Sequence, residues 1–306
     1  MIQYISVIND EGNEMIFPIF GQGVNNNKGI YLSKADGLTP PSATINTTTL
    51  SLLDGSTYNS AVLDDRNIVL TFLTEISDEY SVEENRLRLY DFFTVKKRVG
   101  ITVQTDVRQY YIEGYVESNE PDIFSELQET EVSIICPNPY FTLGGQTEII
   151  FSGAVDMFEF PFSNESLDEN LIIMSEIREN TTMVIDYQGD ADTGITFYIH
   201  ALGEIKGLYL YEINTRTIIQ VDDEKLKSIM GSYIQQGDDL IINSVPGNYY
   251  FHLIRNGVTY NVLNALTLTS QWIKLVKGPN RIAYTVTYGL TNVEFRVYYD
   301  TYYLGV

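Results

Sequence analysis

Short runs of strand-forming residues, each ended by a turn residue, are the feature that most limits how this chain can fold. The 306 residues include 23 tyrosines and 14 phenylalanines but one tryptophan. Tyrosine, threonine, isoleucine and valine favour β-strands. Their runs end in Gly, Asn, Asp or Pro, which favour turns. The sequence therefore predicts a mainly β protein of sandwich or jelly-roll type.

The first half of the chain alternates such runs with polar segments. A long polar stretch at 24–63 shows no convincing period and is predicted to be irregular, as functional or partner-held segments often are. Gly114 lies inside a predicted strand and indicates a bulge there. The predicted strands are 2–8, 14–20, 66–74, 100–105, 108–117 and 127–136.

One helix is predicted in this half, over 82–97. Ser81 and Glu84 have the spacing of a capping box, in which each side chain bonds the other residue's backbone amide. Acidic residues come first and basic residues last, as the helix dipole favours. Leu87 lies off the apolar stripe, so the helix is expected to be covered on two sides. The stripe consists of Val82, Leu89, Tyr90 and Phe93.

The second half is predicted to be a β domain with one short helix at 222–230. Two prolines and Gly144-Gly145 interrupt the chain near 140–146, which divides it into domains 1–143 and 144–306. The Asn256-Gly257 pair is typical of a hairpin turn. The predicted strands are 147–151, 154–162, 171–177, 181–187, 195–201, 206–213, 216–221, 239–244, 248–255, 258–263, 265–276, 281–287 and 292–299.

Charge and composition exclude several classes of function. The net charge of −22 argues that the protein does not bind the phosphates of a nucleic-acid duplex, because such binding requires clustered lysine and arginine. One cysteine excludes an intrachain disulfide and a zinc site built on several thiolates, and two histidines argue against a multi-histidine metal centre. No apolar run is long enough to span a membrane, and no secretory signal is evident. We expect synthesis in a cytoplasm and no membrane partner.

No residue is nominated as catalytic, cofactor-binding or metal-binding, and no cofactor is expected. The sequence lacks a Gly-Xaa-Ser-Xaa-Gly elbow, a phosphate-binding loop and a His-Glu-Xaa-Xaa-His motif. His200 and His252 lie on apolar strands and are expected to be structural. The segment 190–194 resembles part of a calcium loop but lacks its third ligand and distal glutamate, so we interpret it as a turn. Asn46, Asn164 and Asn180 begin sequons that we interpret as coincidental.

Several other side chains have two possible roles. Aromatic residues on sandwich strands usually belong to the core, but an exposed one can stack on a sugar. Cys136 ends an apolar strand and is expected to be a small buried hydrophobe. The aromatic residues with these two possible roles are Tyr209, Tyr211, Tyr249, Tyr250 and Trp272.

Five segments, taken in order, resemble a known family. The most specific are the hairpin at 111–118 (Tyr-Ile-Glu-Gly-Tyr-Val-Glu-Ser) and the strand end at 133–141 (Ser-Ile-Ile-Cys-Pro-Asn-Pro-Tyr-Phe). The others are 65–70, the helix segment 84–93, and 277–282 followed by the terminal strands. Together they resemble the distal tail protein (Dit) family of siphophages, whose tails are long and non-contractile. The resemblance covers essentially the whole chain.

The resemblance implies a structural tail protein with no catalytic residues. The N-terminal domain is then a β-sandwich or split barrel with one helix that builds a hexameric ring. The C-terminal domain is a galectin-like, carbohydrate-module-like β-sandwich. The implied partners are other copies of the chain, the tail tube protein, the tail-tip or tail-associated lysin protein, and receptor-binding proteins on the C-terminal domain. DNA is only a passing cargo, and the protein belongs to the baseplate of the virion.

Alternatives remain open at this stage. The second half is also compatible with a carbohydrate-binding module, and the whole chain with a β-sandwich glycoside hydrolase acting on host cell-wall polysaccharide. Glycosidase chemistry needs only two acidic residues, and 41 acids cannot nominate a pair. A ring from a related contractile device is a further possibility. Under the tail interpretation, the segment 24–63 and the helix 82–97 are expected to contact neighbouring copies.

Overall fold

A computed structural model describes residues 2–19, 28–49, 51, 54–124, 128–156, 175–179 and 181–306, with no side chains described at 152–156 and 175–179. The chain forms two compact units. The first is Met1–Gly145 together with Tyr302–Val306, and the second is Gln146–Thr301. The sequence-based domain limits, 1–143 and 144–306, stay a prediction.

The first unit contains nine described strands and one described helix. Seven strands form one antiparallel sheet in the order β2-β1-β7-β8-β9-β6-β3, and β4 and β5 form a separate two-stranded sheet. The strands are β1 (Ile2–Asn9), β2 (Glu14–Pro18), β3 (Ile30–Asp36), β4 (Ala43–Thr48), β5 (Thr57–Leu63), β6 (Arg66–Thr74), β7 (Arg98–Thr105), β8 (Gln109–Pro121) and β9 (Gln128–Cys136), and the helix is α1 (Val82–Phe92).

The seven-stranded sheet curls so that its two edges meet. Residue Ile19, just after the edge strand β2, forms a parallel bridge with Leu32 of the opposite edge strand β3. Curling brings alternate side chains of every strand into one interior, where the strands' apolar faces are buried. The family resemblance implies a β-sandwich or a split barrel, and the bridge between the two edge strands favours the barrel.

Helix α1 closes the barrel core with aromatic side chains. Phe92 and Phe93, at the end of the helix, pack with Phe17 of β2 and Phe72 of β6, with ring centroids 4.5 to 6.3 Å apart. Aromatic pairs at these distances stabilise a core beyond their buried area. The capping box at Ser81 forms as predicted, but the helix ends at Phe92 and has no basic residue in its last turn.

Two other expectations for this unit are wrong. The stretch 24–63 was expected to be irregular, yet its described part contains β3, β4 and β5. Strand register is also regular at Gly114, and the bulge lies between Val116 and Ser118. A Cβ atom at Gly114 would lie 2.6 Å from Ile134 Cγ2 and 2.8 Å from the Cys136 sulfur. Glycine is therefore present because of close packing and not because of a bulge.

The second unit is a β-sandwich. Its seven-stranded sheet has the order β11-β10-β22-β14-β17-β18-β19, and its four-stranded sheet has the order β12-β21-β15-β16. The strands are β10 (Thr147–Asp156), β11 (Ser175–Glu179), β12 (Thr182–Tyr187), β13 (Thr193–Gly194), β14 (Thr196–Ala201), β15 (Tyr209–Glu212), β16 (Thr217–Gln220), β17 (Asp239–Asn243), β18 (Tyr250–Arg255), β19 (Val258–Asn261), β20 (Lys274–Leu275), β21 (Gly278–Thr285) and β22 (Val293–Tyr299), and the helix is α2 (Asp223–Met230).

The two sheets share one apolar core. Tyr284 of the four-stranded sheet contacts Phe295 of the seven-stranded sheet, with ring centroids 4.6 Å apart. Phe151 and Phe197 flank Phe295 on its own sheet. The buried residues alternate along the strands, so each sheet presents one apolar face to the other, as in aligned sandwiches.

The predicted helix and most predicted strands of this unit are confirmed. The predicted strand 265–276 is wrong over most of its length, and Lys274–Leu275 within it form the short strand β20. That segment follows a 3₁₀ turn at Leu263–Ala265 and bonds its backbone to β16 at two points, from Thr267 to Gln220 (3.0 Å) and from Gln271 to Ile218 (2.7 Å). Residues 157–162 and 171–174 of two other predicted strands lie outside the described residues.

Arg66, the first residue of β6, connects three parts of the first unit. Its guanidinium donates to the carbonyl oxygens of Gly37 (2.5 Å), Thr39 (2.6 Å), Pro139 (2.8 Å) and Leu304 (2.7 Å). The residue is 2% exposed. The same group therefore holds the segment before β4, the chain exit after β9 and the C-terminal residues at one point.

Replacing Arg66 by lysine is expected to destabilise the first unit by about 3 kcal/mol, because one ammonium cannot satisfy four buried carbonyl groups. Urea unfolding followed by far-UV circular dichroism measures this change. Trp272 fluorescence reports the second unit separately, since the single tryptophan lies there.

Arg98→Lys is the matched control. Arg98 pairs with Glu113, and its side chain is 55% exposed, so its replacement is expected to cost less than about 1 kcal/mol. Equal losses in the two variants would show that Arg66 has no special structural role.

Candidate assembly surface

The hairpin β4–β5 extends from the first unit with both faces exposed. All residues of β4 and all but the last residue of β5 are exposed. Ile45, Tyr58 and Val62 are 62%, 63% and 63% exposed, although residues of this kind are usually buried. This hairpin is therefore the first candidate for a surface that another molecule covers.

The two faces of the hairpin differ in polarity. Directly opposite residues on paired strands point to the same face. The pairs Ala43–Leu63, Ile45–Ala61 and Thr47–Tyr58 alternate with Thr44–Val62, Asn46–Ser60 and Thr48–Thr57. The first set is mostly apolar and the second mostly polar. We call the first set the apolar face of the hairpin.

Hydrogen bonds fix the base of the hairpin. The Asp64 carboxylate accepts from Ser42 Oγ (3.0 Å) and Thr44 Oγ1 (2.7 Å), and its backbone amide donates to the Ser42 carbonyl (3.1 Å). These side-chain hydrogen bonds stabilise the ionised carboxylate and hold the pKa of Asp64 below its ordinary value of 3.8. Arg66 lies two residues further on, so the hairpin leaves the barrel from a fixed point.

The outer surface of α1 is a second exposed apolar area. Leu89 faces the core, whereas Leu87 is 50% exposed and Tyr90 is 37% exposed. The sequence placed Tyr90 on the buried stripe, and this is wrong. Leu87 lies off that stripe, as predicted, and the structure shows one packed side and one open side.

The two histidines have structural surroundings. His200 Nδ1 lies 2.6 Å from Asp239 Oδ1, and Tyr198 donates to the same oxygen. The ring of His252 stacks on Tyr250, with centroids 4.5 Å apart. In the described part of the chain, no serine or cysteine hydrogen-bonds to either histidine. The geometry therefore offers no nucleophile activated by a histidine base.

The other candidates from the sequence are distributed over both units. Asp190 forms an ion pair with Lys277 (3.2 Å). Asn46 donates to Ser60 across the hairpin (3.1 Å), while Asn164 and Asn180 lie outside the described residues. Cys136 is fully buried, and burial raises the pKa of its thiol to about 12. Within the described ranges, no three His, Cys, Asp or Glu side chains are grouped to hold a metal ion.

The aromatic candidates are only partly buried. Tyr209 and Tyr211 alternate with buried residues on β15. Tyr249 and Trp272 stack on each other, with ring centroids 4.7 Å apart.

Neither described helix combines the length and hydropathy needed to cross a membrane.

Comparison with known families finds a similarity in the first unit. Residues 21–136 match a family model described as "Phage tail protein RIFT-related domain". Over these residues, the first unit is similar to phage tail protein domains. The matched residues 21–136 include the strands from β3 to β9, the helix α1 and the hairpin. No curated protein sequence matches the chain.

Solved structures extend the similarity to both units. The crystal structure of the Dit protein of phage SPP1, described as a paradigm of hub adsorption apparatus in phages that infect Gram-positive bacteria, matches with a TM-score of 0.63 and 12% identity. The match covers 96% of this chain and 98% of that chain. The phage P2 baseplate in its activated conformation with Ca matches with a TM-score of 0.46 and 11% identity, over 98% and 97% of the two chains, which is too low to establish a shared fold.

These findings confirm the family resemblance and the mainly β fold class that the sequence predicted. The family-model match supports a structural role in a phage tail. The galectin-like character of the second unit stays a prediction. Sequence reasoning missed the hairpin, although the alternation of Ala43, Ile45 and Thr47 with polar residues was a signal for it.

The hydrogen bonds at the hairpin base predict a measurable pKa. An NMR pH titration of full-length protein is expected to place the pKa of Asp64 below 3.8, and the variant Ser42→Ala/Thr44→Val is expected to return it toward 3.8. Because the pKa is lowered on folding, this stabilisation is complete above 3.8 and is lost as the pH falls through the lower value.

Glu84 is the internal control for this titration. Its pKa is also lowered, by hydrogen bonds from Ser81 in the capping box, and it is expected to be unchanged in the double variant. An Asp64 pKa that does not respond to the double variant would refute the proposed structure of the hairpin base.

Proposed function

We propose that this protein is the ring-forming hub subunit at the distal end of a siphophage tail. Six copies form a closed ring through their first units. The ring joins the tail tube protein to the tail-tip or tail-associated lysin protein. The second unit, which we equate with the predicted domain 144–306, docks receptor-binding proteins. The role is structural and not enzymatic, and the protein is made in the host cell and incorporated into the virion.

The exposed hairpin is the observation that carries this proposal. A two-stranded hairpin is marginally stable in water on its own. Here the base is fixed by Asp64 and Arg66, whereas Ile45 and Tyr58 on the apolar face remain in solvent. Burying each of these two side chains contributes about 1.5–3 kcal/mol. A chain that keeps such a hairpin ordered and apolar is suited to donate it to a neighbouring subunit.

Ring closure explains why the hairpin and its receiving surface differ. A closed ring of identical subunits needs a heterologous interface, in which one surface of each copy meets a different surface of the next. The hairpin supplies the first surface. The open side of α1, with Leu87 and Tyr90, is our proposal for the second.

The charge of the chain suits a ring through which DNA passes. A net charge of −22 repels phosphate, so DNA would not be held during transit. Among the described basic residues of the first unit, Lys28, Lys34, Lys97 and Arg98 form ion pairs with carboxylates. These pairs leave less free positive charge to bind a backbone.

Two hairpin variants test the proposal. Ile45→Ser/Tyr58→Ser removes apolar contacts worth about 3 kcal/mol or more at each interface, which corresponds to at least about 100-fold weaker subunit association. Sedimentation velocity of the full-length protein is expected to show a shift from rings toward monomers.

Val62→Ser is the matched control, because Val62 is equally exposed but lies on the polar face of the same hairpin. It is expected to leave the rings intact. Circular dichroism should be unchanged in both variants, since exposed positions rarely affect the fold. Rings that survive the double substitution would refute the assembly role of the apolar face.

A further inference from the structure

A small open pocket lies on the second unit, beside the segment that was wrongly predicted to be a strand. It has a volume of about 300 Å³ and is bordered by the 3₁₀ turn at Leu263–Ala265, by strand β16 and by helix α2. This volume is at the lower end of the range of small-molecule sites. It suits a ligand with the size of one or two rings.

The pocket is lined by one aromatic ring, four aliphatic side chains and several groups that can form hydrogen bonds. Trp272 supplies the ring, while Asn264, Thr267, Ser270 and Gln271 supply amides and hydroxyls. Asn264 and Gln271 are exposed, and among the described residues no partner for either side-chain amide is found. Both amides are therefore available to a ligand as donor and acceptor.

A neighbouring tyrosine holds the indole of Trp272 in place. The ring of Tyr249 stacks on it with centroids 4.7 Å apart and an angle of 11° between the planes. Trp272 is half-buried and also packs against the apolar core of the sandwich. Because the indole is fixed on these sides, it presents its remaining surface to the pocket without an ordering cost on binding.

The polar wall of the pocket is equally well fixed. Besides the two backbone hydrogen bonds from this segment to β16, Ser270 Oγ accepts from the Gln220 amide (3.1 Å) and contacts Thr267 Oγ1 (3.1 Å). The Ser270 amide closes a turn onto the Thr267 carbonyl (3.1 Å). The segment 266–271 is thus an ordered loop with the exposed amide of Gln271 at its end.

From this arrangement we infer that the pocket binds a neutral monosaccharide or disaccharide. A sugar has apolar ring faces, which pack on an aromatic platform, and a rim of hydroxyls, which pair with amides and hydroxyls. A nucleotide fits the pocket less well. Lys225 is the one basic residue among the described lining residues, and it lies 3.5 Å from Asp222. The inference does not depend on ring formation.

The single tryptophan gives a direct test on the full-length protein. Since Trp272 is the chain's one tryptophan, its fluorescence reports on this pocket alone. Titration with cellobiose, lactose and N,N′-diacetylchitobiose is expected to give a saturable fluorescence change with at least one of them, with a Kd of about 1 mM. No saturable change with any of the three would overturn the inference.

A variant pair tests whether the sugar is bound at the rim amides. Asn264→Ala/Gln271→Ala keeps the tryptophan and changes exposed residues, so it is expected to fold normally and to bind at least about tenfold more weakly. Gln188→Ala removes an exposed amide elsewhere on the same unit and is expected to bind like the unmodified protein. Equal affinity in the double variant would place the sugar elsewhere and would also overturn the inference.

Discussion

The buried guanidinium of Arg66 is the interaction on which the arrangement of the first unit depends. Within the described ranges it has no carboxylate partner, and it is satisfied by four carbonyl oxygens and by the ring of Phe141, 4.6 Å away. Burial lowers the pKa of this guanidinium, but arginine stays charged at any physiological pH. A buried charge is costly unless its hydrogen bonds are complete. The carbonyl groups of three separate segments must therefore meet at this point.

That requirement determines how the rest of the unit is organised. Gly37, which carries one of the four carbonyls, has φ +81°, and a Cβ atom there would lie 2.0 Å from the Asn67 carbonyl oxygen. Glycine is thus needed for the chain to approach β6 before it enters the hairpin. The C-terminal residues are held at the same place, where Val306 donates to the Leu38 carbonyl (3.1 Å). The barrel, the hairpin and the chain end share one anchor.

Because the hairpin is held at this anchor, the elements that form the buried core are distinct from those that stay exposed to solvent. The barrel is stabilised by four phenylalanine rings that pack on one another and need no second protein, namely Phe17, Phe72, Phe92 and Phe93. The hairpin contributes little to that core and leaves its apolar face in solvent. The second unit has a complete core of its own, with the Trp272 pocket at its surface. Our two proposals therefore assign assembly to the first unit and ligand binding to the second.

Elements that are stabilised locally could be predicted from the sequence, and elements that depend on distant contacts could not. Strand β6 and the capping box at Ser81 were predicted correctly because their residues carry the apolar pattern or the cap by themselves. The helix α1 ends at Phe92, before the predicted end at residue 97. The prediction placed Lys96, Lys97 and Arg98 in the last turn, where basic residues favour the helix dipole, but they follow the helix.

Candidate surfaces were harder to predict than strands. Most of the predicted strand 265–276 is a loop, because the backbone of Thr267 and Gln271 bonds to β16, a partner that local sequence does not reveal. Trp272 and Tyr249 were singled out separately, and the structure shows that they stack. Four residues around Arg66 that supply carbonyl oxygens are spread from Gly37 to Leu304, so no local pattern could reveal that anchor.

The mass of the full-length protein in solution tests the central claim most directly. Light scattering over a range of concentrations measures it without labels or partners. The account predicts a particle of six times 34.8 kDa that persists on dilution. A mass of 34.8 kDa at every concentration would contradict the proposal that the first unit closes into a ring by itself.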